Sequence, residues 1–400
     1  MSAKAEITTP EINPSPAKKK TFRELLGKMD VRAYTMIGAL VLIWVLFGML
    51  NDTFLTPRNL SNLFTQMSVT AILAIGMVLV IVAGHIDLSI GSIVGLTGGI
   101  SAILSNWIGL PTGVVILGTL VAGAMIGLLQ GWLVAYRAIP AFIVTLGGMM
   151  VFRGLLMGIT KSSTISVSDP TFVSLGNAYF ARGFGLTLAV IAVGFIVWQT
   201  VKVRKSRLKY GFEASSSGMA IAKILFFGSI VFAFVLTMNS YKGIPFPIIF
   251  VIIIGLIFTY ITNKTTLGRH IYAIGGNADA ARLSGINIKS RVMIVFIFTG
   301  LLSAIASIVL TARLTSATTS AGEMYELDAI AACVIGGTSL MGGVGTILGA
   351  IIGALVMTSL DNGMSLMGME TFWQYVVKGS ILILAVWLDI FSKNKQMKNS

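Results

Sequence analysis

Asp87, Arg153, Glu326, Asp328 and Lys378 are ionisable side chains within or beside otherwise apolar stretches of this sequence. A charge in the middle of a hydrocarbon layer costs about 2.5–3.5 kcal/mol on insertion scales, so each of them needs a partner or water. Asp87 stands in Gly84-His85-Ile86-Asp87-Leu88-Ser89-Ile90-Gly91-Ser92. There its carboxylate either accepts hydrogen bonds from the backbone and Ser89 at a helix start, or faces a transport path. Glu326 and Asp328 suit a helix N-terminus, where the dipole stabilises carboxylates. Arg153 and Lys378 either pair with acidic residues or sit near a boundary.

Most catalytic chemistries lack their residues. His85 and His270 are the only histidines and form no His-x-x-x-His pair, and Cys333 is the only cysteine. A cysteine-built metal site and an intramolecular disulfide are therefore excluded, metal catalysis is not expected, and no cofactor is expected. Gly27-Lys28 is followed by Met29, so the chain has no phosphate-binding loop with which to be its own ATPase. A series of buried carboxylates that would relay protons is also missing, and a membrane-embedded enzyme would need a nucleophile or metal constellation that is not there.

The elements that must position these residues follow from composition. With 55% hydrophobic and 11% charged residues and a mean hydropathy of +0.89, too little polar surface remains to solvate a soluble globule of this size. About twelve apolar stretches of spanning length can be marked, near 34–50, 64–83, 88–108, 113–135, 141–160, 185–201, 218–238, 245–262, 291–311, 326–342, 344–360 and 371–389. Glycine, serine and acidic residues interrupt the third and the tenth. The expected fold is an all-α, polytopic transmembrane bundle of about 10–12 spans that includes broken or half-helices. The net charge of +14 belongs to topology rather than to nucleic acid, because the basic residues gather in loops and tails. Residues 1–33 read as a cytoplasmic basic tail, 34–390 as one membrane domain, and 391–400 as a second cytoplasmic tail. Both termini then face the cytoplasm of a multi-pass inner-membrane protein. The even span count and the basic loops at 202–209 and 264–291 agree with that.

Two loops stand out. The polar run at 161–184, outside by parity, is either a partner surface or a solvated connector. In the loop 263–291, Gly275 and Gly276 stop one element, Asn277 can cap a helix through Leu283, and Gly285 ends it. Such a capped helix, with the small Ala278, Ala280 and Ala281 and the polar Arg282, can dock on a partner or lie on the membrane as a connector. Glycine-rich breaks at 84–92 and at 326–345, the second including Gly336 and Gly337, lie in comparable places of the two halves. Paired breaks of this kind point to a transport path.

At GHIDLSIGS (84–92), IPAFIVTLGGMMVFRG (139–154), GGNADAARLSGI (275–286) and ELDAIAACVIGGTSLMGGVGT (326–346), the sequence resembles the membrane permeases of bacterial ABC importers for ribose, xylose and other simple sugars. His85 departs from the glycine common in ribose-type members. The added basic segment and spans around 202–240 resemble the xylose-type branch. The resemblance implies a non-enzymatic transport subunit working by alternating access, with a separate cytoplasmic ABC ATPase, a periplasmic sugar-binding protein and a second permease subunit, as a homodimer in membrane lipid. It further implies that Gly276, Asn277, Ala280, Ala281, Arg282 and Gly285 form the ATPase-coupling segment. Asp87, Ser89, Glu326, Asp328, Gly336 and Gly337 stay open between pathway and structural roles. An uncharged sugar needs only small, weakly polar cavity walls. The alternative is an ion- or proton-coupled secondary carrier.

Overall fold

The computed structural model describes residues 31–212 and 216–398. The tail expected over residues 1–33 therefore falls almost entirely outside the described residues. Helix α1 spans Val31–Leu50, α2 Pro57–Val82, α3 Ile90–Ala102 with a π-helical extension Ile103–Trp107, α4 Thr112–Ala135 and α5 Ala141–Thr160. After β1 (Ile165–Ser166) come α6 (Pro170–Asn177), α7 (Arg182–Lys209), α8 (Ser217–Asn239) and α9 (Phe246–Lys264). Two short helices, α10 (Thr266–Gly276) and α11 (Ala278–Leu283), lead into α12 (Ile288–Leu314) and β2 (Ser316–Ala317). The chain finishes with α13 (Tyr325–Ile335), α14 (Ile347–Leu366) and α15 (Thr371–Lys398). Among the described residues the only strands are β1 and β2, which pair antiparallel.

Among the described residues nine helices, counting α3 together with its π-helical extension, are long and apolar enough to cross a membrane, and α1 and α15 hold shorter apolar stretches, Met36–Leu50 and Thr371–Trp387. The polytopic all-α architecture read from hydropathy is thus the architecture observed. The stretch 326–342 differs from the sequence expectation, because it is not one helix. Helix α13 stops at Ile335, and residues 336–346 continue as irregular backbone. Gly337, Gly342 and Gly343 there take positive φ, conformations that a side chain disfavours and that end a helix. The basic residues at 202–209 lie on the last turns of α7 rather than in a loop, and α15 runs on through 391–398 as helix.

Local signals set the helix starts. Thr56 caps α2 by accepting from the Asn59 N–H, with Pro57 as first residue. Helix α2 is almost wholly buried and forms the axis of the main apolar core together with parts of α9, α12, α13 and α14. In lipid there is no hydrophobic drive between helices, so close packing decides the arrangement. Helix α4 shows this: Gly123, Gly127 and Gly131, at four-residue spacing, lie against the backbone of α12 near Gly300, Phe296 and Met293. A β-carbon at Gly123 would stand 2.5 Å from the Gly300 carbonyl oxygen, so any larger residue would push the two helices apart.

Long-range hydrogen bonds sort the loops onto two faces. On one face, Asn59 and Asn362 exchange amide bonds of 2.8 and 3.1 Å, β1 pairs with β2, and the Asn51 amide donates to the Leu366 carbonyl. On the other, the Gly343 N–H donates to the Val82 carbonyl at 3.0 Å and Tyr272 reaches Gly345. This second face carries α10, whose Tyr272 and Gly275 make these close approaches.

Candidate functional site

A cavity of about 650 Å³ lies between α3, α5 and the segment that joins β2 to α13. Its polar lining comes from Ser92, Arg153, Thr319, Ser320, Glu323 and Glu326, and four methionines, Met149, Met150, Met157 and Met324, complete the walls. Charged groups in the wall depart from the weakly polar lining expected from an uncharged solute. The Arg153 guanidinium donates to the Thr319 carbonyl at 2.6 Å and to the Ala321 carbonyl at 3.0 Å. Thus α5 is tied to the segment before α13 through neutral carbonyl oxygens. Glu326, on the first turn of α13, packs over Gly91, where a β-carbon would collide with its carboxylate. Met324 begins α13 with φ 65°, a left-handed conformation costly for a side chain and found mostly where the surrounding structure has a use for it.

The two acidic residues of α13 separate. Asp328, two residues on, is turned away from the cavity. It meets Lys378 of α15 at 3.1 Å, and Lys378 also reaches Asp361 of α14 at 2.8 Å. The pairing alternative for Lys378 is therefore the one realised, and its second partner, Asp361, was not singled out in the sequence. Arg153 has carbonyl partners instead. Gly336 packs against the backbone of Gly349, and Gly337 turns the chain with φ 84°. Neither lines the cavity.

Asp87 lies between α2 and α3, fully buried. Its Oδ1 accepts from the Ser89 N–H at 2.8 Å and the Ser89 hydroxyl at 2.7 Å, and Gln130 of α4 donates to that hydroxyl at 2.8 Å. Ser89 occupies the cap position of α3 without a side-chain cap bond, so Asp87 stabilises the turn before the helix rather than the helix end itself. Burial pushes the Asp87 carboxyl up to about 6. Neither Asp87 nor Ser89 is on the cavity wall.

The capped helix of the sequence reading is present. Asn277 accepts from the Ala280 N–H at 2.9 Å, and Gly285, at φ 81°, closes α11. Asp279 and Arg282 are exposed and pair at 3.7 Å. Of the expected alanine face, Ala278 and Ala280 are exposed, whereas Ala281 is buried within the chain, because α11 rests that side against its own neighbours. The largest apolar side chain presented outward is Leu283, 89% exposed. It went unmarked because a single leucine in a six-residue helix has no periodic pattern to reveal its direction.

Three of the glycine breaks converge at this face. Gly275, near the end of α10, lies so close to the Val82 carbonyl at the end of α2 that a β-carbon could not fit, and 2.7 Å would separate that β-carbon from the Gly343 nitrogen. The Gly343 N–H donates to the same Val82 carbonyl. The Tyr272 hydroxyl of α10 donates to the Gly345 carbonyl at 2.6 Å. The segment bearing α11 is thus joined, backbone to backbone, to the irregular stretch that follows α13. Helix α13 in turn carries Glu326 into the cavity wall.

On the opposite face, the loop 161–184 is tied down. Asp169 caps α6 through the Thr171 N–H and accepts from Thr112, and these bonds hold its carboxyl below the usual range. Asn177 donates to the Ala312 carbonyl at 2.7 Å. Among the described residues no cluster of three or more His, Cys, Asp or Glu side chains is arranged to hold a metal.

A family model described as "Branched-chain amino acid transport system / permease component" matches residues 59–386. The chain is 46% identical to the xylose transport system permease protein XylH of Haemophilus influenzae over 372 residues, 92% of this chain and 99% of that one. It is 44% identical to the XylH of Escherichia coli K12, covering 92% of this chain and 94% of the relative. The ribose import permease protein RbsC of Escherichia coli K12 is 36% identical over 89% of this chain and 92% of its own length. No solved structure matches the chain at a significant level.

Proposed function

This chain belongs to the permease-component family of branched-chain amino acid transport systems, and from that premise we propose that it is the membrane-spanning subunit of an ATP-driven importer for a simple sugar, with xylose the first candidate. Support for the sugar comes from the xylose and ribose permeases to which most of its length is similar. The observation that carries the mechanism is the junction of Gly275, Val82 and Gly343, which links an exposed capped helix to the half-helix bordering the polar cavity. A cytoplasmic ATPase docks on α11 through Asp279, Arg282 and Leu283, and a sugar-binding protein delivers solute at the β1–β2 face. Closure of the ATPase pushes α10 and α11. The junction passes that displacement to α13, so that the cavity opens alternately to either side.

The cavity is completed by a second copy of the chain. Arg153, Glu323 and Glu326 would otherwise stand near lipid at the edge of α5, whose Met150, Val151 and Leu155 are exposed, and charge facing hydrocarbon is costly. The segment 265–287 and both termini then face the cytoplasm. Asp87 and Ser89 serve as structure, and Glu326 belongs to the path.

The test is uptake of radiolabelled xylose by proteoliposomes containing the chain, its ATPase and its sugar-binding protein. Uptake is expected only with ATP and all three components. Accumulation against a gradient by the chain alone, driven by a proton or sodium gradient, would establish the secondary-carrier reading instead.

A further inference from the structure

Helices α7 and α8 form a hairpin at the periphery of the bundle, and α7 is almost entirely exposed, with only Gly185 and Ala189 buried. Five basic residues, Lys202, Arg204, Lys205, Arg207 and Lys209, crowd its last turns, and Lys223 follows on α8. From residue 182 to 245 the single acidic side chain is Glu213, so these charges are almost uncompensated by the hairpin's own sequence. Topology alone asks only for basic residues on one side of the membrane. The hairpin has more than that. Between its helices lies a cavity of about 360 Å³ with apolar walls that include Val201, Ile221 and Ile224, and with Arg204, Lys205 and Ser217 also lining it.

Arg204 is held for use. One guanidinium nitrogen donates to the Ser217 hydroxyl at 2.6 Å, while its buried Nε–H has no partner among the described residues. A buried donor on a cation is expensive to leave unpaired. Aromatic rings set the depth of this end. Lys202 rests 4.6 Å from the Trp198 ring centre, and Trp198, Tyr210 and Phe212 are all exposed, as side chains at a lipid–water interface are. The cavity therefore combines a greasy slot with a cationic rim at headgroup level.

We propose that the α7–α8 hairpin binds an anionic phospholipid, with a phosphodiester headgroup on Arg204 and Lys205 and part of an acyl chain between the two helices. A neutral zwitterionic lipid brings an ammonium group that the rim repels. A free phosphate lacks the chain that the apolar walls would cover. The site is separate from the cavity at Arg153 and does not depend on what the protein transports.

Native mass spectrometry of the full chain, released from nanodiscs containing equal amounts of phosphatidylglycerol and phosphatidylcholine, tests this. Wild type should retain phosphatidylglycerol preferentially. The double variant Arg204→Gln, Lys205→Gln should lose about 25-fold in that preference, taking each basic residue at a headgroup surface as roughly a fivefold contribution. Arg204→Lys should lose less, and Lys242→Ala, on the opposite face, should change nothing. Equal retention of the two lipids by wild type, or an unchanged preference in the double variant, would overturn the proposal. So would displacement of the lipid by millimolar inorganic phosphate, which would make this a free-anion site. Loss of the copurifying ATPase without a change in lipid preference would instead make the cations a protein contact.

Discussion

Replacing Lys378 with methionine removes a cation that joins α13, α14 and α15. Its Nζ lies 3.1 Å from Asp328 and 2.8 Å from Asp361, and the three side chains are 16%, 4% and 28% exposed respectively. Methionine keeps most of the stem and its packing, so the change isolates charge. Breaking a buried pair by removing one member costs about 3–5 kcal/mol, mostly from the charge left behind. Asp361 retains some water and contributes less, which places the expected loss near the lower end, about 3 kcal/mol. Chemical denaturation in mild detergent, read by tryptophan fluorescence, should register it. Lys378→Met combined with Asp328→Asn should recover much of the loss, and the cycle of single and double variants should show a coupling of at least about 1.5 kcal/mol, well beyond additivity. If the two changes add to within about 0.5 kcal/mol, the charges are independently solvated. The half-helix beside the cavity would then not be tied to α15 by this ion pair.

Three other outcomes are expected. Arg282→Glu with Leu283→Asp should abolish uptake while the protein still inserts, because both side chains are exposed on α11; ATPase copurification and normal uptake would remove the docking role. Tyr272→Phe deletes the hydroxyl that donates to Gly345, a bond worth about 1 kcal/mol net. ATP hydrolysis should continue in that variant while sugar moved per ATP falls, and an unchanged ratio would show that the junction transmits nothing through this bond. Asp87, pushed up to about 6 by burial, holds its proton in the native state at a pH where the unfolded chain has lost it. Wild type should accordingly lose stability as pH rises from about 4 to beyond 6, on the order of 3 kcal/mol in total. Asp87→Asn, which still accepts from Ser89 but cannot ionise, should lack that slope; identical pH profiles in denaturation would mean that Asp87 is hydrated.

Hydropathy, caps and breaks were readable along the chain because each depends on residues a few positions apart. A run of apolar residues long enough to cross hydrocarbon must be helical in lipid, where every backbone group has to be satisfied within the segment. That is why the twelve stretches, the capped helix after Asn277 and the glycine breaks near 84 and 336 could be marked without coordinates. The direction of each helix face could not. In a helix that is apolar all round, no polar stripe reports which side meets which neighbour. Glu326 and Asp328 thus looked equivalent, yet two residues of helical rotation send one to the cavity and the other to Lys378. The same ambiguity hid the burial of Ala281 and the exposure of Leu283. The meeting of Gly275, Val82 and Gly343 joins positions far apart in the chain, and steric fit between packed backbones, rather than any local preference, brings them together.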